Sequence, residues 1–309
     1  MSNNSASGLP TAAAAGVVPA GAELRRVVTG ATWSEGPVWL PDRSVVRWSD
    51  IPGNRILEVN PADGVLQVHR TDVEFTNGRT LDLAGNVIQA SHGRRAIERE
   101  TADGEVSIVV DQWDGRRLNS PNDVIVASDG AIWFSDPPYG IVQAHEGHLG
   151  DPEYGGCHVF RYDERAGKLT AAITDVEEPN GLAFSPDESI LYVTDTSCVL
   201  RKDGSGNHHI VAYDVAADGS CSNRRVFAVI DKGVADGIRV DAEGRVWSSS
   251  EDAVLVYAPD GELLTAIPVP ERVGNMCFGG AAGSTLFIAA HTSIYAIETT
   301  TTGAGRPAR

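Results

Sequence analysis

Short runs rich in Val, Ile, Trp, Phe and Tyr alternate along the chain with polar turn clusters such as Gly85-Asn86, Asp129-Gly130 and Pro186-Asp187. No long stretch shows the apolar spacing of an amphipathic helix, so the pattern predicts an all-β chain. Many short strands without exposed edges suggest radial repetition, and a repeat is visible once a polar residue at the start of a strand is taken as its anchor. The six copies are Glu35-GPVWLPDRSVVRWSD, Asn77-GRTLDLAGNVIQASH, Asn122-DVIVASDGAIWFSD, Asn180-GLAFSPDESILYVTD, Asp236-GIRVDAEGRVWSSS and Asn275-MCFGGAAGSTLFIAAH. Each reads as anchor, small or apolar residue, short strand, a turn with Asp, Asn or Gly, and a second strand ending in Ser, Thr, Ala or Asp.

Successive anchors lie 42, 45, 58, 56 and 39 residues apart, close to the roughly 40–50 residues of a four-stranded propeller blade. The two wide gaps hold Gly-rich polar stretches, Tyr139 to Gly156 and Ser197 to His209, which read as long loops. Outer strands fill the remainder, for example at Ile56, Ser107, His158, His209 and Val254. The expected fold is therefore one six-bladed β-propeller of four-stranded antiparallel blades over residues 23–299. Its last blade should close with a strand from residues 23–30. Residues 1–22 read as a disordered leader and 300–309 as a flexible tail.

In a propeller the first strand of each blade lies along the central channel, so equivalent positions converge. Glu35, Asn77, Asn122, Asn180, Asp236 and Asn275 are all oxygen-bearing. Such a set suits one hard divalent cation, Ca²⁺ first, with Mg²⁺, Mn²⁺, Zn²⁺ or Fe²⁺ as alternatives. Two carboxylates converging in a channel also need a cation to offset their repulsion. A competing reading makes Asn-Gly and Asp-Gly simple turn residues. It gives no reason for Glu35 before Gly36-Pro37 and is weaker for six places together than for one.

Composition narrows the partners. The 309 residues carry a formal charge of -17 and no basic run, which argues against nucleic acid. Four scattered cysteines form no CxxC pair, so a reducing, cytoplasmic setting is expected. The Ala-rich stretch from Thr11 to Val18 lacks a preceding Lys or Arg and does not read as a signal peptide. Nothing approaches the roughly 18 apolar residues of a membrane helix. Oligomeric state is left open.

The segments Glu35-GPVW, Ser120-PNDV, Pro179-NGLAFSPD and Asp236-GIRVD resemble the gluconolactonase, senescence-marker-protein (regucalcin) and luciferin-regenerating-enzyme family. The resemblance runs from about residue 24 to 298. It implies a divalent cation held by Glu35, Asn180 and Asp236, with Asn122 as a further ligand or substrate contact. It also implies hydrolysis of small sugar lactones, aldonolactone to aldonic acid. Where the animal lactonases carry an Arg two places before the Asn, this chain has Ser120.

On that reading the cation polarises an ester carbonyl while a carboxylate takes a proton from water. Asp236 is the expected general base and Glu35 mainly a ligand; the reverse assignment is the alternative. Asn77 and Asn275 are expected to hold sugar hydroxyls, as amides both donate and accept. Tyr139 is expected to contact substrate, stacking on a sugar or covering the site. His92 and His291 read as structural, and Trp33, Trp39, Trp48, Trp133 and Trp247 as packing between blades. The absence of a GxSxG elbow removes Ser-His-Asp chemistry. Competing functions are organophosphate hydrolysis at the same cation and a non-catalytic calcium-binding propeller.

Overall fold

The computed structural model describes residues 9–201 and 203–305. Six four-stranded antiparallel sheets stand around one axis. Their inner strands, in blade order, are Ser34–Leu40, Thr76–Leu81, Val124–Val126, Pro179–Phe184, Ile238–Val240 and Val273–Gly279. Blade six takes its outermost strand, Arg25–Thr29, from before blade one, where it pairs with Ser293–Glu298. The expected closure is therefore present, and it ties the two ends of the propeller together.

Apolar side chains from adjacent blades fill the seams. Trp133 packs with Leu182, Leu191, Val193 and Val211 between blades three and four, and Trp247 with Met276, Leu286 and Tyr295 between five and six. Trp48 is buried and Trp39 stacks on Phe287 at 5.4 Å, as the packing expectation requires. Trp33 departs from it: half-buried, it lies at the channel mouth, because it precedes the inner strand of blade one. Between blades one and two Arg47 is buried with Glu58 (2.6 Å) and Glu100 (3.0 Å).

Two expectations about the termini need correction. Residues 9–22, expected as a disordered leader, lie in turns against blade six, where Val17 and Val18 are buried beside Trp247 and Met276. Burying that apolar pair offsets the cost of ordering the segment. Residues 300–305 are also placed: Thr301 is buried, Ala304 N donates to Val240 O at 2.8 Å, and Gly303 bridges Asp241. Residues 1–8 and 306–309 lie outside the described residues. No helix among the described residues is long and apolar enough to cross a membrane.

The inner strands approach so closely that side chains are excluded at specific places. A Cβ on Gly181 would fall 2.3 Å from the Asp236 carbonyl, and one on Gly78 would fall 2.6 Å from the Asn122 carbonyl. Both are backbone contacts that cannot swing away. Gly181→Ala should therefore destabilise by about 1–3 kcal/mol, the usual cost of overpacking. That loss lowers Tm by about 2–4 °C per kcal/mol. Gly155→Ala is the control, since nothing lies within 4 Å of its Cβ position. Equal melting of the two variants would refute the close-approach account.

Candidate active site

The six anchors form a closed ring, each joined to the next blade. A Cβ on Gly36 would fall 2.2 Å from the Asn77 carbonyl, so blades one and two touch there. Gly78 N donates to Asn122 O at 2.8 Å, Ser135 Oγ to Asn180 O at 2.6 Å, and Gly181 N to Asp236 O at 3.1 Å. Gly237 N donates to Gly274 O at 2.8 Å, and a Cβ on Gly274 would meet Glu35 Oε1 at 2.2 Å. The residues expected at one end of a channel are thus brought together. The turn reading fails, because five of the six anchors lie within strands or in the ladder-bonded residues just before one, not in reversing turns. Glycine follows four of them for close approach, and only Gly36 of those four has a positive φ.

A second repeated device positions the entry to the inner strands. Asp50 Oδ1 accepts from Thr32 N and Trp33 N at 2.8 and 3.1 Å. Asp136 Oδ2 accepts from Asn119 N at 2.7 Å, and Asp195 accepts from Glu177 N and Glu178 N at 3.1 and 3.3 Å. Each carboxylate ends the second strand of its blade and clamps the segment just before the anchor. Satisfying those backbone donors inside the protein is what a buried carboxylate does well. The signal was in the repeat, where these copies end in Asp.

Within the ring the carboxylates are under strain. Glu35 is buried; its Oε2 accepts from Gly36 N at 3.0 Å, while Oε1 has no hydrogen-bond partner among the described residues. Burial first and the Asp236 carboxylate second push its pKa well above the usual range. Asp236 is enclosed by protein yet touched by solvent, and burial raises it to about 7, partly opposed by Arg272 and by the facing Asn180 amide. The amides have defined orientations. Asn275 Oδ1 accepts from Met276 N at 2.8 Å, which turns its NH₂ toward Glu35. Asn180 Nδ2 donates to Thr196 Oγ1 at 3.3 Å, leaving Oδ1 without a donor among the described residues. The Asn122 side chain makes no hydrogen bond to the protein among those residues.

The long loop of blade three covers one side of the mouth. Tyr139 is buried, with its hydroxyl 2.6 Å from Thr196 Oγ1 and 3.0 Å from Glu178 Oε2. Its ring is therefore not an open platform for a sugar; it fastens the loop to blade four and reaches the ring through Thr196 and Asn180. Sequence reasoning missed three mouth residues. Glu146, raised to about 7 by burial, and Glu178, raised to about 7 by burial, both lie on loops outside the repeat. Arg272 lies 5.4 Å over the Trp33 ring, a cation–π contact at the rim. None carries a periodic signal. His291, exposed, packs beside Trp33 at 5.7 Å, whereas His92 is fully buried against Asn77.

The residues fit a hard cation. Glu35 Oε1 is an orphaned buried oxygen, Gly274 leaves the space beside it free of a side chain, and the donors are carboxylate and amide oxygens. No group of three His, Cys, Asp or Glu suited to a metal occurs among the described residues. A cation would rest on the two carboxylates and complete its shell with amides and water.

The family model described as the SMP-30/Gluconolactonase/LRE-like region matches residues 33–292, from just before Glu35 to just past blade six's second strand. The chain belongs to that family. A gluconolactonase of Zymomonas mobilis subsp. mobilis is 32% identical over 294 residues, 88% of this chain and 80% of its own. The structure of a gluconolactonase from Xanthomonas campestris superposes with a TM-score of 0.86 at 40% identity, covering 94% of each chain. A regucalcin from Agrobacterium tumefaciens, described as calcium-binding, shares the fold at a TM-score of 0.72 and 22% identity, with 92% and 96% covered.

This family member's ring carries a stability cost that can be measured without any metal. A carboxyl whose folded pKa lies above its ordinary value, 4.5 for Glu35, destabilises the fold increasingly as pH rises past that ordinary value. In chelator, Glu35→Gln should therefore melt a few degrees above the parent at pH 8 and level with it near pH 4. A parent that melts higher at pH 8 contradicts the raised Glu35 carboxyl.

Proposed function

We propose that this protein opens small sugar lactones, aldonolactones to aldonic acids, at a divalent cation held by Glu35, Asn122, Asn180 and Asp236, with Ca²⁺ as the favoured ion. The observation that carries the reading is the unpartnered Glu35 Oε1 beside Asp236 in a ring of oxygen donors. Relatives that are gluconolactonases at 32–40% identity over most of their length support the lactone substrate. The calcium-binding regucalcin supports only the likeness of fold. When bound, the cation supplies polarisation of the lactone carbonyl and positive charge for the oxygen on which negative charge develops.

The chain's own residues handle position and protons. Asp236 takes a proton from the attacking water as the water oxygen bonds to the carbonyl carbon. The ring C–O bond then breaks, the proton passes to the departing oxygen, and the product is a hydroxy acid. Asn180, held by Thr196, keeps the Asp236 carboxylate oriented. Glu35 is a ligand rather than a base. Asn77 and Asn122 are open to the substrate's hydroxyls, whereas Asn275 has its oxygen occupied by Met276 N and acts on Glu35. The loop fastened by Tyr139 limits access from one side.

Two variants separate binding from chemistry. Glu35→Gln should lose most bound cation by elemental analysis, and unchanged metal content removes Glu35 from the ligand set. Asp236→Asn, assayed on glucono-1,5-lactone at saturating cation, should lose about 10²–10⁴-fold in kcat, the worth of a positioned general base. A metal-replete Asp236→Asn enzyme within about threefold of the parent, well below that range, returns the role to Glu35. Chelation should abolish turnover and re-addition should restore it.

A further inference from the structure

We infer that His92 is a positioning residue: it turns the Asn77 amide oxygen into the channel and ties that orientation to the loop over the mouth. His92 follows the second strand of blade two, Val87–Ser91, and is fully buried. Its Nδ1 lies 3.0 Å from the Glu146 carbonyl oxygen and its Nε2 lies 3.3 Å from Asn77 Nδ2. A carbonyl oxygen only accepts, so Nδ1 carries the hydrogen. Burial opposes a second proton and holds the ring neutral, with a pKa of about 4. Nε2 is then a bare lone pair and demands a donor. The amide NH₂ of Asn77 faces it, which leaves Asn77 Oδ1 on the side away from the ring, where the anchors meet.

The contact is built rather than incidental. A Cβ on Gly140 would fall 2.5 Å from His92 Cβ, and one on Gly147 would fall 2.2 Å from the Gly140 carbonyl. Two glycines thus let the blade-three loop settle directly onto the imidazole. The loop is pinned on either side by Gly150 N to Ile141 O at 3.0 Å and by His148 Nε2 to Glu74 Oε2 at 2.8 Å. His291, at the matching place in blade six, is exposed and has no such pair of bonds among the described residues. The buried histidine is therefore not a general device for ending a blade. A hydrophobic residue would fill the space without the cost of desolvating two ring nitrogens.

On the lactonase reading, Asn77 Oδ1 accepts from a hydroxyl of the lactone, which makes polyhydroxylated lactones the substrate class favoured over deoxy or alkyl lactones. His92→Asn keeps a donor near Nδ1 for the Glu146 carbonyl but removes the acceptor at Nε2. Its KM for glucono-1,5-lactone should rise about three- to tenfold, the worth of one neutral hydrogen bond, with kcat within about twofold. His92→Gln reaches the Nε2 position with an amide oxygen and should return KM to within about twofold of the parent, the lost bond being remade. The double variant His92→Asn/Asn77→Ala should be no worse than Asn77→Ala, because the two residues act in series. Additive losses, or a lower Tm with unchanged KM, overturn the inference and leave His92 a packing residue. Nitrogen-15 NMR of the parent needs no variant: between about pH 6 and 8 the ring should be neutral with Nδ1 protonated and Nε2 bare. The opposite tautomer, or a charged ring, overturns the inference even where the variants do not fold. A parent that opens no lactone refutes the proposed function, while the tautomer still decides the orientation of Asn77.

Discussion

Everything in this molecule depends on how near six strands can come to one axis. At the anchor level neighbouring backbones are in direct contact, and the positions after Glu35, Asn77, Asn180 and Asp236 admit no Cβ. Hydroxyls on the second strands complete the closure, with Ser49 Oγ on Asn77 O at 2.9 Å, Ser135 Oγ on Asn180 O and Thr194 Oγ1 on Asp236 O at 3.1 Å. A backbone carbonyl buried at such a packed axis without a partner costs about 1–3 kcal/mol. Satisfying them blade to blade makes the ring rigid. It also makes the site a property of the whole propeller, since no single blade holds more than one anchor.

That rigidity is what lets two carboxylates persist side by side. Desolvation raises both Glu35 and Asp236, with the Asp236 charge adding to the rise at Glu35 and the Glu146 charge to that at Asp236, and a flexible site would relax by moving the acids apart. Buried positive charge lies close below: Arg79 donates to Gly36 O at 3.1 Å and to Ser49 Oγ at 2.7 Å, and burial lowers its pKa to about 9. It bonds to neutral oxygens and leaves the ring carboxylates unpaired. Such local electrostatic conflict is typical of a site kept for binding or chemistry rather than stability.

Much of the fold was legible because the repeat is written in local terms: turn residues, alternating strands and a spacing near the length of one blade. The closing strand Arg25–Thr29 and the two long loops followed from the same count. The order of residues 9–22 was not legible, because an Ala-rich stretch becomes structured only when a seam is present to bury Val17 and Val18. The anchoring of Tyr139 was not legible for a related reason: an aromatic at a loop start looks exposed until Thr196 and Glu178 arrive from another blade. Asp50, Asp136 and Asp195 were visible as strand endings, yet their clamping role needs the fold that returns the chain to them.

The sequence by itself determined the identity and spacing of the six anchors, and hence that oxygen donors from six blades share one region. Spacing along a chain is local information, and a repeat converts it into position. Only the tertiary structure decided which atom each donor presents. An amide shows its oxygen or its nitrogen according to what lies behind it: His92 behind Asn77, Thr196 behind Asn180, Met276 N behind Asn275. His92 and Thr196 come from just past the second strand of the anchor's own blade, and Met276 N from the next residue of the inner strand. The raised acids Glu146 and Glu178 and the rim cation Arg272 belong to the same class, because their influence comes from burial and proximity across blades, quantities that exist only once the ring has closed.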